Sequence, residues 1–144
     1  MSNKQLPIPF KLVQIEEKQF ATFENVLEKE SPIQQEVGFG FGVNIENHVI
    51  GVTMDYTITK ENAPMVKQTV SCYFKVESSE FEKQLKKEDA IVLPCGFGKH
   101  LAMITVGTTR GVLFANTKNT PFNQLILGLI NVDKMFEEDI VIKF

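Results

Sequence analysis

Residues 97–136, FGKHLAMITVGTTRGVLFANTKNTPFNQLILGLINVDKMF, decide how the rest of the chain is read. Apolar positions recur at Leu101, Ile104, Val112 and Ala115, with Thr108 between them, and a second row runs Met103, Val106, Arg110, Leu113. Spacings of three, four and seven put each row on one side of a helix. Local propensity points the other way. Ile104, Thr105, Val106, Thr108, Thr109 and Val112 are β-branched, and Gly107 and Gly111 each cost about 1 kcal/mol against Ala inside a helix. On local signals alone, a hairpin turning at residues 107–111 is a serious rival.

A helix here would need a sheet to cover, and the preceding chain supplies one. Residues 36–45 are the clearest strand: Val37, Phe39, Phe41, Val43 and Ile45 point one way, and Gly38, Gly40 and Gly42 the other. A glycine face beside a phenylalanine face invites another backbone or helix to approach closely. Residues 48–59 alternate Val49, Gly51, Thr53, Asp55, Thr57 against Ile50, Val52, Met54, Tyr56, Ile58. Residues 65–76 return with Val66, Gln68, Val70, Cys72 and Phe74 on one side, after turn chemistry at 60–64. A first strand is expected at 10–15, behind a loose arm over 1–9 that holds Pro7 and Pro9. Residues 20–27 are ambiguous, because Phe20, Phe23, Val26 and Leu27 have helical spacing. Ser79, with Glu82 three residues on, reads as the N-cap of a short helix to Lys87; Pro94 closes 91–93, and Gly96 and Gly98 hinge into the long segment.

Composition narrows the class of function. At 144 residues the chain fits one domain, able to bury about two thirds of its unfolded surface without staples. A net charge of −3 with mixed signs disfavours nucleic acid, which needs concentrated Lys and Arg. No stretch reaches the roughly 18 apolar residues of a membrane span. Residues 1–10 lack the apolar core of a signal peptide, so a reducing cytoplasm and free thiols at Cys72 and Cys95 are expected. Twelve phenylalanines and no tryptophan suit a large apolar surface without polar handles, in a core or in a groove.

Chemistry-bearing motifs are weak. Residues 38–42, GFGFG, lack G-x-G-x-x-G spacing and run as a strand, against a phosphate loop. Cys95, His100 and Asp89 could be imagined as a nucleophile with its base, yet a lone Cys and His without a surrounding signature are more often packing and surface. No Cys or His pair has zinc spacing, so no metal or other cofactor is expected. The acidic runs at 16–17, 80–82 and 137–139 read as solvated faces.

One resemblance settles the rivalry. From Thr108 to Phe136 the sequence resembles the C-terminal signature of the SecB family of bacterial export chaperones. There a long helix with an aromatic-Ala-Arg-Glu segment leads into a Thr-Phe-Pro-Gln-Leu turn and an Asn-Phe-Asp-x-Leu-Phe ending. Arg110 stands at the family arginine; Phe122, Gln124 and Leu125 match the turn; Asn131, Asp133 and Phe136 match the ending. Departures include Pro121-Phe122 in reversed order, Gly111 for the family Glu, and Thr108 for the aromatic. The resemblance implies one helix over 101–118, an edge strand and irregular arm through 20–27, and an α+β domain of four antiparallel strands with a long C-terminal helix packed on them. A hairpin or extended tail over 137–144 would finish the chain.

A sheet covered by one helix leaves apolar surface over, which points to oligomerisation or client binding. The resemblance implies an ATP-independent, non-enzymatic chaperone that holds unfolded polypeptides in apolar grooves, as a homo-oligomer (dimer or tetramer). Its clients would be preproteins or an antitoxin. The expected groove residues are Phe39, Phe41, Tyr56, Phe74, Phe114, Phe122, Leu125, Leu127 and Leu129. The family docks its export motor on an acidic sheet surface, which the resemblance places in part at Glu17, while the matching position on the fourth strand is Phe74. Two other classes compete: a small-molecule-binding or hot-dog-like enzymatic α+β domain, and a structural assembly subunit.

Overall fold

The computed structural model describes residues 7–24, 32–124 and 130–143. Four strands, β1 (Phe10–Thr22), β2 (Ile33–Asn44), β3 (Val49–Lys60) and β4 (Ala63–Val76), form one antiparallel sheet in the order β1-β4-β3-β2. Two hairpins build its β2-β3-β4 part. The second turns on Glu61 and Asn62, both at positive φ (53° and 64°), the two-residue turn whose twist matches that of paired strands. A short helix α1 (Ser78–Glu80), continued by one π-helical turn (Phe81–Leu85), leads to strand β5 (Ala90–Leu93). The long helix α2 (Cys95–Thr117) then crosses the sheet. A short helix α3 (Val132–Met135) and strand β6 (Ile140–Lys143) end the described chain, β6 pairing antiparallel with β5. The fold is α+β, with the long helix laid on a four-stranded antiparallel sheet.

The helix prevails over its β-branched composition by packing one face on the sheet, a face its threonines can share. Leu101, Thr105, Thr109, Leu113 and Thr117 recur every four residues and are all buried. Thr105 Oγ1 donates to Leu101 O (2.9 Å), Thr109 Oγ1 to Thr105 O (2.7 Å), and Thr117 Oγ1 to Leu113 O (2.8 Å). Each hydroxyl is satisfied by its own helix, so the seam can face an apolar sheet at close range without unpaired polar groups. The sequence rows through Ile104, Thr108, Val112 and Ala115 turn out to lie beside this seam, half-buried or exposed.

Opposite the seam, Ile50, Val52, Met54, Tyr56 and Ile58 of β3 and Val66, Gln68, Val70, Cys72, Phe74 and Val76 of β4 are no more than 2% exposed. Gln68 Nε2 donates to Thr109 O (2.9 Å), a buried polar tie between sheet and helix.

Three expectations need correction. Strand β1 runs to Thr22, well past residue 15, because bulges between Leu12 and Gln14 and between Glu17 and Gln19 shift its register and blur the alternation. The cap of α1 is Glu77: its carboxylate accepts from Ser79 N (2.9 Å) and Glu80 N (3.0 Å), two free donors that Ser79 cannot reach together. Helix α2 begins at Cys95, so Gly96 and Gly98 lie inside it and form no hinge.

Candidate functional site

Phe39 and Phe41 project from β2 on the helix side of the sheet but remain only partly buried. Phe136, just past α3, meets both edge-on, with ring centroids at 5.3 Å from Phe39 and 5.6 Å from Phe41 and interplanar angles of 70° and 89°. Such edge-to-face pairs are worth about 0.5–1.5 kcal/mol beyond the area they bury. Val37 and Val43 extend the same apolar strip along β2, and Ile130 and Ile140 of the C-terminal segment pack against the neighbouring core.

The C-terminal segment sits here on few attachments. Asp139 Oδ1 accepts from Cys95 N (2.9 Å), placing a carboxylate on the first turn of α2, where the helix dipole favours it. Cys95 Sγ donates to Phe136 O (3.2 Å). Lys99 Nζ bonds Asp133 Oδ1 (3.1 Å), and that hydrogen bond holds the ammonium above its usual value. Ile140 fills the notch left by Gly98, where an added Cβ would collide with Ile140 Cδ1.

The other expected groove residues do not gather on this strip. Tyr56 and Phe122 are 2% exposed and Phe74 is fully buried, so these three form the core and offer no surface to a partner. Tyr56 and Phe122 belong to the apolar cluster under the second half of α2, Phe74 to that under the first half. Phe114 is 58% exposed, as is Met103. Leu125, Leu127 and Leu129 lie outside the described residues. Glu17 pairs across from Val70, on the helix side of the sheet, and accepts from Asn116 Nδ2 (2.6 Å). Neither Glu17 nor Phe74 faces the open side of the sheet, because each sits opposite the residues that carry α2. Cys95, His100 and Asp89 make no triad: Cys95 bonds Phe136 and Asp139, whereas the His100 ring lies edge-on to Phe10 at 5.6 Å.

Among the described residues nothing covers Gly40 or Gly42 on the glycine face of β2, where an added Cβ would touch nothing within 4 Å. Beside it a shallow depression of about 430 Å³ opens over Lys18, Gly51, Thr53 and Tyr73. Its hydroxyls are already engaged: Thr53 with Ser71 (2.6 Å) and Tyr73 with Glu16 (2.7 Å). Among the described residues no group of three or more His, Cys, Asp and Glu could hold a metal, and no helix is long and apolar enough to cross a membrane.

Sequence reading missed the partners that complete the strip. Phe136 was legible only as a signature residue, and Ile140 and Ile142 only as an extended tail. On β1, Leu12 (40% exposed) and Ile15 (50%) form a second apolar edge whose pattern the bulges concealed.

No family model matches the sequence, and no curated protein matches it. Among solved structures, the chain is similar to the Mycobacterium tuberculosis Rv1957 SecB-like chaperone, determined in complex with a ChAD peptide from the Rv1956 HigA1 antitoxin. The TM-score is 0.51 at 8% identity, over 85% of this chain and 91% of that one. It also matches a protein of unknown function from Streptococcus agalactiae, with a TM-score of 0.42 at 14% identity, over 88% of this chain and 100% of that one. The first likeness is one of fold: this chain folds as a SecB-like chaperone does.

Proposed function

We propose that the protein is a SecB-like holdase that binds extended, unfolded polypeptide along the apolar strip of β2 without ATP, cofactor or covalent chemistry. The observation that carries this reading is the pair Phe39 and Phe41: two large apolar rings on edge strand β2 that pack against the core on one side and stay only partly buried. An unfolded chain offers alternating apolar side chains, and a strip of Phe and Val side chains takes them with little sequence preference. Holding the unfolded state slows collapse and aggregation by mass action. The fold shared with a chaperone that was solved holding a peptide supports polypeptide as the ligand class. An antitoxin or a preprotein are the candidate clients, and an export motor docking at Glu17 would compete with the bond that Glu17 accepts from Asn116.

The second part of the proposal is a homo-oligomer, dimer or tetramer, working in the cytoplasm. Leu12, Val13 and Ile15 on edge strand β1, together with Met103 and Phe114, are 40–58% exposed large apolar residues. An edge strand with such side chains is suited to pair with a second copy.

The test is suppression of aggregation of a chemically unfolded protein during dilution, with native mass measured in parallel. A holdase gives dose-dependent suppression that falls at least several-fold in a Phe39→Ser/Phe41→Ser variant. Equal suppression by that variant removes the strip from the function. Fixed large assemblies with no suppression favour a structural subunit instead.

A further inference from the structure

The strip is already occupied in this structure by the chain's own end. Residues 130–143, INVDKMFEEDIVIK, turn Val132, Phe136, Ile140 and Ile142 towards the body and leave Asp133, Lys134, Glu137, Glu138 and Asp139 exposed. That is the pattern of an extended apolar client: spaced apolar side chains carried by a soluble backbone. Its attachments are short in sequence: no strand in it is longer than four residues. They include two ring contacts through Phe136, four residue pairs between β5 and β6, the bonds to Cys95 and Lys99, and the packing of Val132, Ile140 and Ile142 against the body. The main sheet, by contrast, is held by strands of 12 to 14 residues.

We propose that residues 130–143 are an internal competitor for the holdase strip, with Phe136 standing where an aromatic side chain of a client docks on Phe39 and Phe41. This rests on the holdase reading above and adds regulation to it. A client binds when the segment lifts away, so apparent affinity scales with the fraction of molecules in which the strip is free. Tethering gives the segment a high effective concentration, which turns away weak, short apolar peptides while longer unfolded chains with many contacts displace it. The charged run 137–139 keeps the lifted segment solvated.

The test uses the full chain and, as probe, reduced and carboxymethylated α-lactalbumin, which stays unfolded. Phe136→Ala weakens the competitor. A Val92→Cys/Val141→Cys variant locks it, because these two residues are direct partners across β5 and β6 and antiparallel partners stand about 4.5–5.5 Å apart, within disulfide reach. The expected result is about tenfold tighter probe binding by Phe136→Ala. The oxidised, locked form should bind about tenfold weaker than native and recover on reduction. Circular dichroism checks that Phe136→Ala is folded; if it is not, the locked form before and after reduction decides alone. Equal binding by the oxidised and reduced cysteine variant overturns the competitor and leaves the holdase standing. No binding by any form, the reduced one included, overturns both.

Discussion

Strands β3 and β2 lie side by side in one sheet, alternate in the same way, and end in opposite conditions. On the helix side, Ile50, Val52, Met54, Tyr56 and Ile58 of β3 are sealed, while Val37, Phe39, Phe41 and Val43 of β2 are only partly buried. The cause is geometric. A helix with its side chains is about 10–12 Å across and strands are about 4.8 Å apart, so a single helix covers two to three strands. Helix α2 lies on β4 and β3, and both edges are left over. On β2 the C-terminal segment fills the gap through a few contacts; on β1, Leu12 and Ile15 stay exposed. Apolar character on the centre strands is therefore buried in the core, whereas the same character on the edges stays partly exposed.

The sharpest way to break this contrast is to truncate one ring from each strand's environment. Phe74→Ala is expected to cost about 3–5 kcal/mol in denaturant unfolding, the range for a fully buried Phe, whereas Phe39→Ala should cost about 1 kcal/mol. Equal losses would show that β2 belongs to the core after all. Next in size, Gln68→Ala removes the buried tie to Thr109 and should destabilise by about 1–3 kcal/mol. A loss near zero would mean that the helix is held by apolar contact alone.

Smaller effects sharpen the contrast. Gly98→Ala adds a Cβ that displaces Ile140, while Ala raises helix propensity by up to about 1 kcal/mol. The expected outcome is faster hydrogen exchange at residues 140–143 with global stability held or slightly raised; uniform loss of protection would mean the end segment is part of the main cooperative unit. Ile15→Glu on the exposed edge should shift stability by no more than about 0.5 kcal/mol and lower the native mass if β1 carries the oligomer. The least effect is expected at Glu77. Hydrogen bonds from the Ser79 hydroxyl and from the Ser79 and Glu80 amides hold its carboxyl below the usual 4.5. Its folded value is depressed, so its contribution is present above pH 4.5 and is lost as pH falls through the lower folded value. Glu77→Gln should flatten that acid limb in a pH series of thermal melts.

How much was legible varies with the kind of signal. Strands β2, β3 and β4 could be read because each alternates over most of its length, the one register shift lying at the β3–β4 turn end and the first three residues of β2 going unread. Strand β1 could be read only at its start, since two bulges at Val13 and Lys18 put successive apolar residues out of phase. In α2 the apolar rows allowed a helix that the family resemblance then decided, and they did not show its buried face. That face is built from Thr105, Thr109 and Thr117, which count as helix-averse until their hydroxyls are seen bonded back to the preceding turn. Of the nine expected groove residues, Phe39 and Phe41 reach the strip, Tyr56, Phe74 and Phe122 fill the core, and Phe114 lies exposed on the helix. Aromatic identity alone does not separate a core ring from a surface ring.

What the sequence determined by its own pattern is the strands β2, β3 and β4 and an excess of apolar surface over what one helix can cover; the long helix after them was decided by family resemblance. The strands and the excess follow from period and composition, which are local. Only the tertiary structure decided which phenylalanines that excess consists of, and that the chain's own Phe136 rests on them. The reason is that burial depends on the width of a single helix laid across four strands, and on a contact between residues nearly a hundred positions apart, to which no local pattern is sensitive.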